Sequence, residues 1–162
     1  MAAIRSAGPF AAWLRDAVIN FKYHDEWARA DHLGRDLTRT VADMDDLDVL
    51  TPVPLHRSRL RERGYNQSAL LANVVGDQLG LPVVDALLRT RSTKQQALLS
   101  AGDRAENVDG AFAIAPGFNV AGRRIVLIDD VITSGSTINA CARILVDHGA
   151  ATVRAATLAR QL

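Results

Sequence analysis

Apolar residues along this chain switch repeatedly between the helical and the strand period, and the switches divide it into alternating elements. Trp13, Ala17, Val18 and Phe21 fall on one side of a helix over residues 10–22, and Leu33, Leu37 and Val41 on one face of another over residues 26–42. Both are expected to cover a sheet. The junction between them, Phe21-Lys-Tyr-His24, reads either as a helix end packing its aromatics or as a wall of an active site. Asp48-Val-Leu-Thr-Pro-Val-Pro54 reads as a strand stopped by its prolines, which donate no ladder hydrogen bond and restrict the residue before them. A loop is expected from Leu55 to Gln67. Residues 66–79 predict a helix through Leu70, Leu71, Val74, Val75 and Leu79, with Gly80 as its C-cap.

Short strands are then expected at Pro82 to Leu88, Ala111 to Ile114, Ile125 to Ile128 and Ala151 to Leu158. A helix carrying Ile138, Cys141 and Leu145 and ended by Gly149 separates the last two. Strands alternating with helices predict an α/β fold, a mainly parallel sheet with helices on both faces. At 162 residues the chain reads as one domain, 1–162, large enough to bury a core.

The stretch Ile125-Val-Leu-Ile-Asp-Asp-Val-Ile-Thr-Ser-Gly-Ser-Thr137 carries the most chemistry. A buried parallel strand should stop at Asp129 and Asp130, at the carboxyl edge where open α/β sheets keep their ligand crevices, so both acids are expected outside the core. Thr133, Ser134, Gly135, Ser136 and Thr137 follow, at the start of the next helix. Backbone N–H groups, small hydroxyls and the positive end of a helix dipole would converge there on one point that suits a phosphate. The acids would repel a phosphate but accept hydrogen bonds from sugar hydroxyls. Together the two features suggest a ribose 5-phosphate lying across the strand end. Neither G-x-x-x-x-G-K-[ST] nor G-x-G-x-x-G occurs, so P-loop and dinucleotide readings lose their glycines.

Arg57, Arg59, Arg61 and Arg63 occupy every second position of the loop after the prolines. In an extended segment they would form one cationic edge suited to phosphate oxygens, although a solvated charge run explains the same residues equally well. Arg89 to Asn107 is polar, with little apolar periodicity, and is expected to be a mobile loop.

Net charge and cysteine content narrow the classes. A formal charge of +1 with 23% charged residues argues against a global nucleic-acid or membrane-surface field. Only Lys22 and Lys94 among the 19 basic residues are lysine, which carries little weight. Cys141 is the one cysteine, so an internal disulfide is impossible and a core thiol in a reducing cytoplasm is the expectation. No signal-peptide h-region and no run of about 18 apolar residues occurs. His24, His32, His56 and His148 are scattered, without the spacing of a zinc site.

The thirteen-residue stretch from Ile125 resembles the phosphoribosyl-pyrophosphate (PRPP) motif of type I phosphoribosyltransferases, with all its functional positions filled. Pro52-Val-Pro-Leu-His56 with Arg59-Leu-Arg-Glu-Arg-Gly-Tyr-Asn-Gln67 is similar to the signature of the ComF family, phosphoribosyltransferase-like proteins with competence-associated members. Arg89-Thr-Arg-Ser-Thr-Lys-Gln-Gln96, Arg104-Ala-Glu-Asn-Val108 and Gly110-Ala-Phe112 extend that similarity, which runs from about Trp13 to the C-terminus. Many members begin with a four-cysteine zinc module, and none precedes Phe10 here.

The resemblance implies the type I phosphoribosyltransferase fold and a flexible loop, here Arg89 to Asn107, that closes over PRPP. It implies a PRPP-dependent transferase in nucleotide metabolism, with Asp129 and Asp130 on the ribose hydroxyls and Thr133 to Thr137 on the 5-phosphate. Arg57 and Arg59, with Lys94 or Arg104, would neutralise the leaving pyrophosphate. The catalytic set is thus Asp129, Asp130, Lys94 and Arg104. Mg²⁺ would bridge pyrophosphate and ribose, reaching the acids only through water, with no direct protein ligand. The nitrogen acceptor is unidentified and a homo-oligomer is left open. Two alternatives stand: a PRPP-binding accessory or regulatory protein linked to DNA uptake, and a single-strand DNA handler along Arg57 to Arg63. Few interleaved aromatics argue against the latter.

Overall fold

The computed structural model describes residues 3–9, 30–91 and 110–161. In chain order these form β1 (Ala3–Pro9), α1 (Ala30–Ala42), β2 (Val49–Pro52), α2 (Arg57–Arg63), α3 (Gln67–Leu79), β3 (Leu87–Arg89), β4 (Phe112–Ile114), β5 (Arg124–Ile132), α4 (Ser136–Asp147) and β6 (Thr152–Arg160). The main sheet has four strands in the order β1-β6-β5-β2. Every neighbouring pair in it is parallel.

Burial of β5 on both sides explains its unbroken apolar run. Ile125 and Leu127 face one side, where Ile138, Cys141 and Leu145 of α4 pack with Leu87 and Phe112 of the antiparallel β3-β4 pair. Val126 and Ile128 alternate to the other side, against Leu33, Leu37 and Val41 of α1 and Leu71 and Val75 of α3. Helices on both faces of a parallel sheet are what the alternation of elements predicts. The helix expected over residues 10–22 and the Phe21 to His24 junction lie outside the described residues.

Local expectations for α3 hold closely: it spans Gln67–Leu79 and Gly80 ends it at φ 65°, while Asn66, expected as its first residue, is its N-cap. Four differ. Ala3–Pro9 carries only one large apolar residue, Ile4, and gave no strand signal. It is ordered by pairing with β6, including a 2.8 Å bond between the hydroxyls of Ser6 and Thr157. The stretch Pro82 to Leu88 is not one strand. Val83 makes a single parallel bridge to Leu50, and the chain then leaves to form β3, antiparallel to β4. The third difference is that β5 continues through its acids to Ile132, because β6 keeps pairing with it as far as Arg160.

The last is the expected loop at Leu55 to Gln67, which contains a helix. His56 caps α2 by accepting from the Ser58 N–H, and Gly64 closes it at φ 80°. Capped at both ends and rich in the straight-chain residues Arg, Glu and Leu, the segment winds up instead of extending.

Candidate functional site

Loss of one neighbour defines the upper end of β5. Pairing with β2 ends at Pro52 opposite Ile128, and the Val53 N–H closes it with a 2.9 Å bond to Ile128 O. Past that level Asp129 and Asp130 have β6 on one flank and no β2 strand on the other. Backbone N–H groups need acceptors there, and the carboxylates provide them. Asp129 Oδ1 accepts from Asp130 N at 2.9 Å, and Asp130 Oδ1 from Val131 N at 2.7 Å. Asp130 is buried at 7% exposure and Asp129 is half-buried, which corrects the expectation that both lie outside the core.

Thr133, Ser134 and Gly135 turn the chain from β5 into α4. Gly135 is the N-cap at φ 76°, a left-handed conformation that favours glycine, and with no side chain it leaves the helix end without a side-chain cap. The Ser134 and Ser136 hydroxyls lie 2.9 Å apart. Ser134 Oγ is 3.4 Å from the Ser136 N–H, too long to satisfy that donor well. Two acids and a hydroxyl-rich helix start thus stand within one short stretch at the carboxyl edge of the sheet, where the sequence puts them. This arrangement offers acceptors to hydroxyl groups and donors to an anion.

The turn from α2 into α3 braces the same edge. Asn66 Nδ2 donates to Val53 O at 3.1 Å, while Asn66 Oδ1 accepts from Ser68 N at 3.1 Å. Ser68 Oγ donates to Asp129 Oδ1 at 2.9 Å, joining residues 61 positions apart in the chain. The bonds from Asn66 to Val53 and from Ser68 to Asp129 are not visible to a local reading.

Because α2 is a helix, its four arginines do not share one edge. Arg57 and Arg61 are exposed, whereas Arg59 and Arg63, one turn apart, are half-buried. The alternation of an extended segment is replaced by two pairs on opposite sides. This corrects the geometric basis for treating Arg57 and Arg59 as equivalent.

Arg89, which the sequence marks as the start of a polar, ComF-like stretch without a role of its own, ends β3 opposite Phe112. Its guanidinium carbon lies 5.4 Å from the centroid of the Phe112 ring, a cation–π contact. Burial pulls its pKa down, the charge of Asp129 pushes it up, and the charge of Arg59 pulls it down, so all three belong to one electrostatic neighbourhood. Cys141 lies under the same cluster, fully buried, and burial together with the charge of Asp129 pushes its thiol pKa up. Lys94, Arg104 and most of the expected loop lie outside the described residues.

No group of three or more His, Cys, Asp or Glu able to hold a metal occurs among the described residues. Hard oxygen donors are nonetheless present in Asp129 and Asp130. Such a pair fits Mg²⁺ that arrives on a polyphosphate and keeps its waters, not an ion caged by protein. Among the described residues no helix is long and apolar enough to cross a membrane.

A parallel α/β sheet with acids and a hydroxyl-rich helix start at its carboxyl edge defines the class, and comparison with known proteins supplies the family. The family model described as phosphoribosyl transferase domain matches residues 66–162, and the chain belongs to that family. It is 38% identical over 115 residues to "Competence protein F" of Haemophilus influenzae, covering 70% of this chain and 50% of that protein. It is 40% identical over 116 residues to "DNA utilization protein YhgH" of Escherichia coli O157:H7, covering 71% and 50%. These relatives bear out the ComF resemblance, and the match spans about half their length. Among solved structures, glutamine PRPP amidotransferase from B. subtilis, complexed with ADP and GMP, is similar with a TM-score of 0.58. The two are 21% identical, and the similarity covers 86% of this chain and 30% of that one, a likeness of fold.

Proposed function

We propose that this chain binds PRPP and transfers its phosphoribosyl group to a nitrogen acceptor, releasing pyrophosphate. The observation that carries the reading is the pairing of Asp129 and Asp130, beyond the last β2 partner, with the hydroxyl-rich, glycine-capped start of α4 directly after them. In this reading those are the two halves of a ribose 5-phosphate site, and membership of the phosphoribosyl transferase domain family supports it. Asp129 and Asp130 accept from the ribose hydroxyls. The hydroxyls and N–H groups of Thr133 to Thr137 take the 5-phosphate.

The bond from C1 to the pyrophosphate oxygen breaks, a nitrogen lone pair forms the new bond to C1, and the acceptor's proton leaves with solvent or pyrophosphate. Positive charge develops on the sugar ring meanwhile. The two acids beneath it provide fixed negative charge, so positioning and electrostatic stabilisation carry the catalysis. Arg59, with Lys94 or Arg104, neutralises the leaving group, and Arg57 contributes from the solvent side. When bound, Mg²⁺ would lower the charge of the pyrophosphate, held on the protein side by Asp129 and Asp130 through water.

Calorimetry with PRPP and Mg²⁺ is the direct test, followed by pyrophosphate release across a panel of bases and amines. Wild-type protein giving no heat with PRPP refutes the reading. Replacing Asp129 and Asp130 together by Asn keeps an acceptor oxygen for each neighbouring N–H, and is expected to abolish most PRPP affinity in a folded protein. A second reading is favoured by the relatives' names, which concern competence and DNA utilization. In it the same site binds PRPP as a signal in an accessory protein. PRPP binding without pyrophosphate release on any acceptor would select it.

A further inference from the structure

Ser68 is 4% exposed and sits in the first turn of α3, outside the stretch that carries the acids. Its main chain is fixed by the Asn66 cap, and Asn66 is itself tied to Val53 at the end of β2. Its hydroxyl has one proton, which goes to Asp129 Oδ1 at 2.9 Å. The same oxygen takes the Asp130 N–H at 2.9 Å. Two donors from separate elements, one a strand backbone and one a helix turn, therefore converge on a single carboxylate oxygen.

An aspartate at a strand end otherwise rotates about two side-chain bonds, and a sugar hydroxyl that needs it in one orientation must restrict that rotation on binding. Two donors on Oδ1 impose the restriction in advance. In the first turn of α3 the residues three and four positions before Ser68, Tyr65 and Gly64, precede the helix, so its hydroxyl has no helix carbonyl behind it. Here it spans from helix to strand.

We propose that Ser68 is a positioning residue that fixes the rotamer of Asp129 for ribose recognition, acting through Asp129 without touching the ligand. The inference rests on the reading of Asp129 as a ribose-hydroxyl acceptor. It assigns the start of α3, through Asn66 and Ser68, the task of locking the end of β2 and the acid of β5 in one geometry.

Calorimetry on the full chain with PRPP and Mg²⁺, ribose 5-phosphate and inorganic phosphate separates this from a merely structural role. Ser68→Ala is expected to weaken PRPP and ribose 5-phosphate by about tenfold, the scale of one hydrogen bond to a charged group, and to leave inorganic phosphate unchanged. Ser68→Thr keeps the hydroxyl and should restore most of the loss. In an Asp129→Ala background, which removes the acceptor oxygen, Ser68→Ala should cost PRPP affinity nothing further. Wild-type and Ser68→Ala proteins that bind PRPP equally would overturn the inference, as would equal losses for all three ligands or losses that add in the double variant. Wild-type protein that fails to bind PRPP at all would refute the functional reading itself, a distinct result. If Ser68→Ala proves unstable, the pair Ser68→Thr and Ser68→Cys gives the same comparison: Thr should bind like wild type and Cys, a weak donor, should not. Equal affinity of those two would count against the proposal.

Discussion

Gly34 of α1 lies against Val74 of α3 so closely that a Cβ on Gly34 would stand 2.4 Å from Val74 Cγ1 and 2.6 Å from its Cβ. The absent side chain lets two helices approach on the face of the sheet opposite α4. Gly34→Ala should gain about 1 kcal/mol of helix propensity and lose more to overpacking, since Val74 is β-branched and has no free rotamer to retreat into. A net loss of about 1–2 kcal/mol in urea unfolding is expected. A variant more stable than wild type would mean that α1 can slide outward at little cost.

At the opposite edge of the sheet from the acids, Arg124 holds Asp48 through Nη2 to Oδ1 at 2.7 Å and Nε to Oδ2 at 3.1 Å. The Arg124 N–H adds a third bond at 2.8 Å. These hydrogen bonds lower the Asp48 pKa from its ordinary value of 3.8 to about 2. A depressed carboxylate stabilises the fold above its unfolded pKa and loses that contribution as pH falls through the folded one. Acid titration of unfolding should show this component disappearing between about pH 4 and pH 2. Asp48→Asn should remove it, and an unchanged acid limb in that variant would contradict the assignment.

Cys141 is fully buried, and burial holds its thiol well above the ordinary range. Only a thiolate reacts quickly with disulfide reagents. Labelling at pH 8 should therefore follow global unfolding and speed up with denaturant. Rapid stoichiometric labelling of the native protein would show that α4 opens locally.

What the sequence disclosed and what it concealed divide by distance along the chain. The acids, the hydroxyl-rich turn and the helix after them are contiguous, so their types and order carry the chemistry without tertiary information. The faces of β5 were legible for the same reason, since Ile125 to Ile128 alternate into two cores. Ser68 and Arg89 were not, because what matters about them is a bond across 61 residues and a shared electrostatic neighbourhood. β1 was missed because pairing with β6, not composition, orders it. The helical α2 could have been found: a capping His56-x-Ser58, helix-forming residues and Gly64 stand in line. Alternating arginines gave a period-2 signal that concealed it, since charge alternation, unlike apolar alternation, has no buried face to enforce a strand.

That helix separates Arg59 from Arg57 as candidate ligands for the proposed leaving pyrophosphate. On α2 the two point about 200° apart, the turn that two helical residues make. Arg59 is half-buried and its charge is felt at Arg89, which also feels the charge of Asp129, whereas Arg57 is exposed. If pyrophosphate lies beside the acids, Arg59→Ala should weaken PRPP by about tenfold or more, the loss of a charge-assisted hydrogen bond in a partly desolvated site. Arg57→Ala should cost about threefold or less, as a solvent-screened charge does. Neither should alter affinity for ribose 5-phosphate, which has no C1 pyrophosphate. Calorimetry with both ligands on both variants decides it. Equal effects of the two substitutions on PRPP would mean that the leaving group is held along the outer surface of α2. A loss shared by ribose 5-phosphate would move Arg59 from the pyrophosphate to the sugar or its phosphate.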